Sequence, residues 1–377
     1  MTKSICFITT GDIKTISTAK RALGLANFLS DMGWNVSILM ENTVENYNRV
    51  TLECDSRIKV CYYPHCSLKE EVKRKNLMIN EINPDYIYLC AFVARNVVAR
   101  NHRCIKIVEH PELQSKIKEC DFKKKIYYFV MEHYSLIYAD CILNASLYLQ
   151  KIYKKRASYM LRRDIPMMYF PYAFNSNVVK KIDIDYCKEK YISFKNTVNF
   201  VFLGSITQNY GIFTILDAVR DLYVVNKKFK MLILGIGSDF EEAIQYVKNY
   251  ELEDCIYMPG YIEEVEISEY FSIADAFISP MNDTVQDWAR CPSKVYLYLP
   301  YQKPIITCKI GEPYQTLKEK GYYYIPGNSA SLITQMLKVI QDKQNVIDYD
   351  VDKFSWKARA IEFDRFMGER FGEKKYI

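Results

Sequence analysis

Nowhere in the 377 residues does an apolar run approach the length of about 18–20 residues that a membrane-spanning helix needs. The first ten residues hold only the short apolar run Ile5 to Ile8, and Gly11 follows. That pattern predicts a buried strand rather than an export signal, and a cytoplasmic chain is the expectation. Histidine is scarce, at four residues, and none of the twelve cysteines is spaced C-x-x-C. A zinc centre and a disulfide framework are therefore not expected, and scattered reduced thiols in the core are. The P-loop pattern G-x-x-x-x-G-K-[ST] is missing, which argues against an ATPase or kinase. The full dinucleotide fingerprint is missing too, since Gly235 and Gly237 are followed by Phe240 where a third glycine would fall.

What is present is the composition of a folded protein, with 49% apolar and 25% charged residues, long enough for two domains. Short apolar runs alternate with helical patterns. Strands are expected at Ser4–Thr10, Val36–Met40, Tyr86–Cys90, Ile105–Val108, Cys141–Leu143 and Met167–Phe170. The alternation restarts after a charged stretch near 178–196. Further strands are expected at Asn199–Leu203, Lys230–Leu234, Cys255–Met258, Ala276–Ile278 and Pro304–Thr307, and Ser355–Phe371 reads as a last amphipathic helix. Parallel strands joined by helical crossovers follow from this grammar. The expected architecture is α/β: two doubly wound, Rossmann-like domains facing across a cleft, residues 1–180 and 181–354, with helix 355–377 crossing back to the first. Ligands of such sheets sit at the carboxyl ends of the strands.

Three strands of the second half end on glycine: Leu203-Gly204-Ser205, Leu234-Gly235-Ile236-Gly237 and Pro259-Gly260-Tyr261. Glycine there permits a tight turn and close approach of a ligand to the backbone. The +6 net charge is concentrated. Residues 101–170 hold thirteen Lys or Arg and seven Asp or Glu, a surplus of six. Either a solvated surface or attraction to an anionic membrane or acceptor accounts for it. No nucleic-acid-binding motif accompanies the charge.

The second half resembles family-4 glycosyltransferases, the retaining group 1 enzymes of the GT-B fold. Phe200–Ser205 with Tyr210-Gly211 and Ile215–Ala218 is similar to that family's strand, glycine loop and helix. Leu232–Gly237 resembles its second glycine turn, and Ile256–Ile262, with Tyr261 and Ile262 after the turn, its next strand. Tyr270–Pro280 resembles "Y..AD.F..P", and Lys294–Leu299 with Lys303–Ile306 resembles "K..EY...GKP.I". In the first half, Glu109–Glu112, Tyr138–Ser146 and Ser355-Trp356 match more loosely.

The resemblance implies an enzyme, hexosyltransferase-like, moving a sugar from a nucleotide-sugar donor to a glycan or lipid-linked acceptor. It also implies retention, a role in surface polysaccharide or glycoconjugate synthesis, and no metal or cofactor. Where the family carries Arg and Lys in the first glycine loop, this chain has Ser205 and Tyr210, and where it pairs two glutamates, Ala289 and Leu297. A diphosphate needs cations, so Arg290 and Lys294, flanking Cys291-Pro292-Ser293 at a helix start, are candidates, with surface pairing to Asp283 or Asp287 as the alternative. The candidate donor-binding set is Gly11, Gly204, Ser205, Gly235, Gly237, Tyr261, Ile262, Arg290, Ser293 and Lys294; the candidate catalytic pair is His110, at a cleft edge, and Asp287, holding sugar hydroxyls. Asp183-Ile184-Asp185 has the D-x-D spacing of a metal site but falls in the charged linker, so no metal is assigned to it. A non-catalytic GT-B binding protein and, third, a nucleotide-sugar epimerase remain open. Docking of the first domain at the inner face of the membrane is the expectation from its basic surplus.

Overall fold

Buried strands with apolar residues on both faces belong inside parallel sheets covered on both sides. The strand Ser4–Ile8 (β1) is of this kind: Ile5, Cys6, Phe7 and Ile8 are all buried. The computed structural model describes residues 3–14, 18–98, 103–175, 184–342 and 346–372. These divide into two units: Met1–Phe174 with Ala289–Cys291 and Lys353–Ile377, and Asn175–Trp288 with Pro292–Asp352.

In the first unit β1 pairs in parallel with Asn35–Glu41 (β2) and Tyr86–Leu89 (β4). The strands Lys59–Tyr63 (β3), Ile105–His110 (β5), Cys141–Asn144 (β6) and Met167–Tyr169 (β7) complete a seven-stranded sheet of order β3-β2-β1-β4-β5-β6-β7. The switch point, where the order reverses, lies between β1 and β4. Helices Thr18–Asp31 (α1), Val44–Glu53 (α2), Leu68–Ile82 (α3), Phe122–Tyr138 (α4) and Leu147–Tyr159 (α5) connect the strands. Thr43, Ser67, Asp121 and Ser146 cap the last four, each accepting a backbone N–H three residues on.

The final helix, Trp356–Phe371, adds Trp356, Ala360, Phe363, Met367 and Phe371 to the core under α1. Gly24 makes room for it, because a Cβ there would lie 2.4 Å from the indole of Trp356. Phe174 and Trp356 exchange backbone hydrogen bonds with the opposite segment where the chain leaves and re-enters this unit.

The second unit is a six-stranded parallel sheet of order β10-β9-β8-β11-β12-β13. Its strands are Val198–Leu203 (β8), Phe229–Leu234 (β9), Ile256–Gly260 (β10), Ala276–Ser279 (β11), Ile305–Cys308 (β12) and Tyr322–Tyr324 (β13). Pro259 is tolerated because β10 is an edge strand, and the register shifts there. The switch point lies between β8 and β11.

None of the twelve cysteines is in a disulfide. Among the described residues no helix is long and apolar enough to cross a membrane, and no cluster of ligating side chains could hold a metal. Asp183 of the D-x-D spacing lies outside the described residues.

Candidate active site

The glycine turns of the second unit converge at the carboxyl ends of β8, β9 and β10. Gly204 N–H donates to Leu234 O at 2.9 Å, and Gly235 N–H to Gly260 O at 2.8 Å. Gly204 and Gly235 have φ of +146° and +135°, values that disfavour any side chain. Space disfavours one too: a Cβ on Gly235 would lie 2.2 Å from Gly204 O, and one on Gly237 2.2 Å from Ile206 O. These residues thus let two backbone turns pack against each other and leave a shallow, side-chain-free floor.

Lys294 stands beside that floor. Its Nζ is 2.7 Å from where a Cβ of Gly204 would be, and 4.0 Å from the ring centre of Phe202. Tyr298, one helical turn on, fixes its placement. The Tyr298 ring stacks on Phe277 of β11 at 4.3 Å, and its hydroxyl accepts the Leu203 N–H at 2.9 Å. The helix, Ser293–Tyr298, is thereby tied to both strands of the switch point. It spans only six residues, with Pro292 at its cap rather than inside its first turn.

Across the switch point Gly211, with φ of +76°, packs on Pro280, which follows β11. Two hydroxyls, Thr207 Oγ1 after β8 and Ser279 Oγ at the end of β11, are buried and have no hydrogen-bond partner among the described residues. Buried polar atoms are normally satisfied, so unmet hydroxyls here mark places for water or a polar ligand. Ser205 and Ser293 are exposed, Tyr261 is exposed and Ile262 buried.

Arg290 goes with a different unit from Lys294. It goes with the first unit, in the three-residue insert Ala289–Cys291, where Ser146 Oγ donates to Ala289 O at 2.7 Å. Arg290 is buried and its charge acts on Glu112. Burial pushes the Glu112 carboxyl above the ordinary range, and Arg290 pulls against that. The two candidate cations, Arg290 and Lys294, go with different units. Asp287 is also buried; its carboxylate accepts the Thr284 hydroxyl, while Asp283 accepts from the Trp288 indole at 2.7 Å.

In the first unit His110 ends β5 at the carboxyl edge of the sheet, as expected, but its ring turns inward. It stacks on Tyr153 at 4.1 Å, with Nδ1 3.0 Å from the Tyr153 hydroxyl and Nε2 2.9 Å from Ser135 Oγ. Burial, helped by the charge of Arg156, pushes its pKa down to about 3. The ring is thus a neutral core imidazole rather than an edge group poised over a reacting carbon. Asn144, its register partner on β6, is fully buried, and its amide has no partner among the described residues.

Gly11, with φ of +74°, lies in the loop after β1. Buried Asn46 ties that loop, donating to Gly11 O and Glu41 O and accepting the Ile13 N–H. Beneath it Lys75 is wholly buried and donates to Thr9 O at 3.0 Å, Glu71 Oε1 at 2.7 Å and Asn96 Oδ1 at 2.8 Å. Arg95 holds the other oxygen of Glu71. Neither Asn46 nor Lys75 stands out in the sequence. Glu71 and Lys75 read there as one more i,i+4 surface pair.

Residues 184–353 match the family model of group 1 glycosyl transferases. That match covers most of the second unit and takes in its whole sheet. Its boundaries take in every glycine turn of the second unit, with Lys294 and Tyr298. The chain is similar to WcaL of Escherichia coli, a proposed colanic acid biosynthesis glycosyltransferase, with 25% identity over 142 residues. That match spans 37% of this chain and 35% of the relative, about a third of the relative's length. Among solved structures, the Anabaena protein HepE in complex with UDP and glucose superposes with a TM-score of 0.78 at 13% identity, covering 97% of this chain and 100% of that one. Sucrose-phosphate synthase from Thermosynechococcus elongatus gives 0.77 at 15% identity, covering 98% and 99%. The fold is GT-B.

Proposed function

We propose that the chain is a glycosyltransferase that moves a sugar from a nucleoside diphosphate sugar to a glycan or lipid-linked saccharide in surface polysaccharide synthesis. The observation that carries this reading is the convergence of side-chain-free glycine turns, Lys294 and two unsatisfied hydroxyls at the switch point of the second sheet. Backbone approach and a cation suit a diphosphate, and hydroxyls suit the remaining polar atoms of a donor. Gly204, Ser205, Gly235, Gly237, Tyr261, Ile262, Ser293 and Lys294 are the donor-binding residues of this proposal. Arg290 acts instead through Glu112.

In the reaction the bond from the anomeric carbon to the diphosphate oxygen breaks, and an acceptor oxygen bonds to that carbon. With retention the acceptor approaches on the face the diphosphate leaves, so the departing oxygen is placed to take the acceptor's proton. The ammonium of Lys294 stabilises the charge that grows on the diphosphate.

One experiment separates the readings. The chain is titrated by calorimetry with UDP-glucose and other nucleotide sugars, and the mixture is then assayed for free nucleoside diphosphate. Binding with release that rises on adding a saccharide acceptor supports transfer. Binding without turnover points to the non-catalytic reading, which Ser205 and Leu297 favour. Interconversion of the donor sugar without release would make it an epimerase. Absence of binding to every nucleotide sugar overturns the proposal.

A further inference from the structure

The helix α4 is amphipathic in the inverted sense. Met131, Glu132, Ser135, Leu136 and Tyr138 face the core. Phe122, Ile126, Phe129, Val130 and Ile137, at the spacing of a single helical stripe, face outward. Phe122 is 76% exposed and Val130 56%. Single exposed apolar residues are ordinary, but a stripe running the length of a seventeen-residue helix is a surface made to be covered. Asp121 caps the helix through Lys124 N–H, so the stripe starts on a fixed turn.

Cations surround the stripe. Lys123 and Lys124 are exposed beside Phe122, and Lys125 is half-buried. The neighbouring α5 is joined to α4 by the ion pair of Arg156 with Glu132 and by the Arg156 guanidinium 5.8 Å from the Phe129 ring centre. From α5 and the turn after it, Lys154, Lys155 and Arg163 are exposed, with Tyr159 73% and Leu161 86% exposed among them. An apolar partner alone would match the stripe but leave these cations unused, and a polyanion alone would leave the stripe in water. An anionic phospholipid bilayer matches both: acyl-chain boundary for the aromatic and aliphatic side chains, phosphates for the lysines.

We propose that α4, with the end of α5, is a membrane-docking surface that lies flat in the headgroup region of an anionic bilayer. This deepens the reading of a lipid-linked acceptor given above, but it is read without donor or acceptor, so either can fail while the other stands.

The test is flotation of the full chain with vesicles of phosphatidylcholine alone and of phosphatidylcholine with an equal part of phosphatidylglycerol, at low and high salt. Wild type is expected to float with the anionic vesicles, less so at high salt, and weakly with the neutral ones. The exposed-stripe variant Phe122→Ser, Ile126→Ser, Val130→Ser is expected to lose binding under all conditions. Lys123→Ala, Lys124→Ala, Lys125→Ala is expected to lose about fivefold in partitioning per lysine and to keep the salt-insensitive remainder. Circular dichroism checks that both variants are folded. Failure of wild type to float with anionic vesicles overturns the proposal, as does undiminished binding of the stripe variant. A chain that ignores vesicles but forms a dimer that the stripe substitutions dissociate would assign the face to a second copy instead.

Discussion

The ammonium of Lys294 occupies the place where a side chain on Gly204 would have to go, 2.7 Å from the ideal Cβ. Each residue therefore constrains the other. Lys294→Ala is expected to weaken nucleotide-sugar binding about ten- to hundredfold, the worth of about 1.5–3 kcal/mol for a charged hydrogen bond, with the melting temperature nearly unchanged. Gly204→Ala is expected to lose binding as well, by displacing Lys294 and straining a φ of +146°. The double variant should regain some stability over Gly204→Ala but no donor affinity. Calorimetry with UDP-glucose and thermal unfolding read the two effects, and unchanged affinity in Lys294→Ala would remove this lysine from the site.

Lys75 and Glu71 form a buried ion pair under the loop after β1. Burial draws the Lys75 ammonium below its usual range despite Glu71. Burial also works to raise Glu71, but the two cations Lys75 and Arg95 hold its carboxyl below the usual range. Removing Lys75 leaves Glu71 with Arg95 as its remaining cation and takes the buried donor from Thr9 O and Asn96 Oδ1, which together cost about 3–5 kcal/mol. Lys75→Met is expected to lose that much in urea unfolding and to loosen the turn at Thr9. A loss under about 1 kcal/mol would show that the pair is hydrated rather than sealed.

Gly24 and Trp356 test whether the last helix belongs to the core of the first unit. Alanine is favoured over glycine inside a helix by roughly 1 kcal/mol, so Gly24→Ala in α1 should stabilise if the site were open. A Cβ 2.4 Å from the indole makes it overpacked, and a net loss of about 1–3 kcal/mol is expected. In a Trp356→Leu background the sign should reverse. The same sign in both backgrounds would mean that the indole is not seated on Gly24.

The interior of both sheets was legible because parallel strands buried on both faces leave unbroken apolar runs, as Phe200–Leu203 does. The helix Ile212–Val225 was legible in part, through Ile215–Ala218, and its apolar stripe begins directly after Gly211. Two of the four edge strands, β7 and β10, were legible; the other two were not, since β3 is Lys-Val-Cys-Tyr-Tyr and β13 three tyrosines, residues that suit a half-covered edge as well as a loop. The glycine turns were legible as turns. That Gly237 is needed by the backbone of Ile206 is a tertiary fact. Arg290 and Lys294 lie four positions apart and go with different units, a division that no local pattern shows. Lys75 sits in Glu-Glu-Val-Lys-Arg-Lys, a run whose composition signals solvent, and only the strands around it make it a core residue. The apolar stripe on α4 was hidden for the opposite reason. Periodicity shows that a helix has an apolar face but not which way it points.

His110 gives the fold a pH dependence of definite sign. An unfolded histidine takes a proton near pH 6.5, whereas the buried ring, pushed down to about 3, stays neutral in the native state. Above about pH 6.5 both states are neutral and the difference has no effect. As pH falls below that, only the unfolded state gains a proton, and stability drops progressively until the native ring titrates near 3. The loss amounts to about 1.4 kcal/mol for each pH unit crossed. The stacking on Tyr153 and the hydrogen bonds to Tyr153 and Ser135 serve the neutral ring, so His110→Gln should be less stable than wild type at neutral pH but fall off less steeply toward pH 5. Urea midpoints for the two proteins at neutral and mildly acid pH measure the difference in slope. Equal slopes would show that His110 titrates normally and is open to solvent, which would restore it as a candidate for contact with substrate.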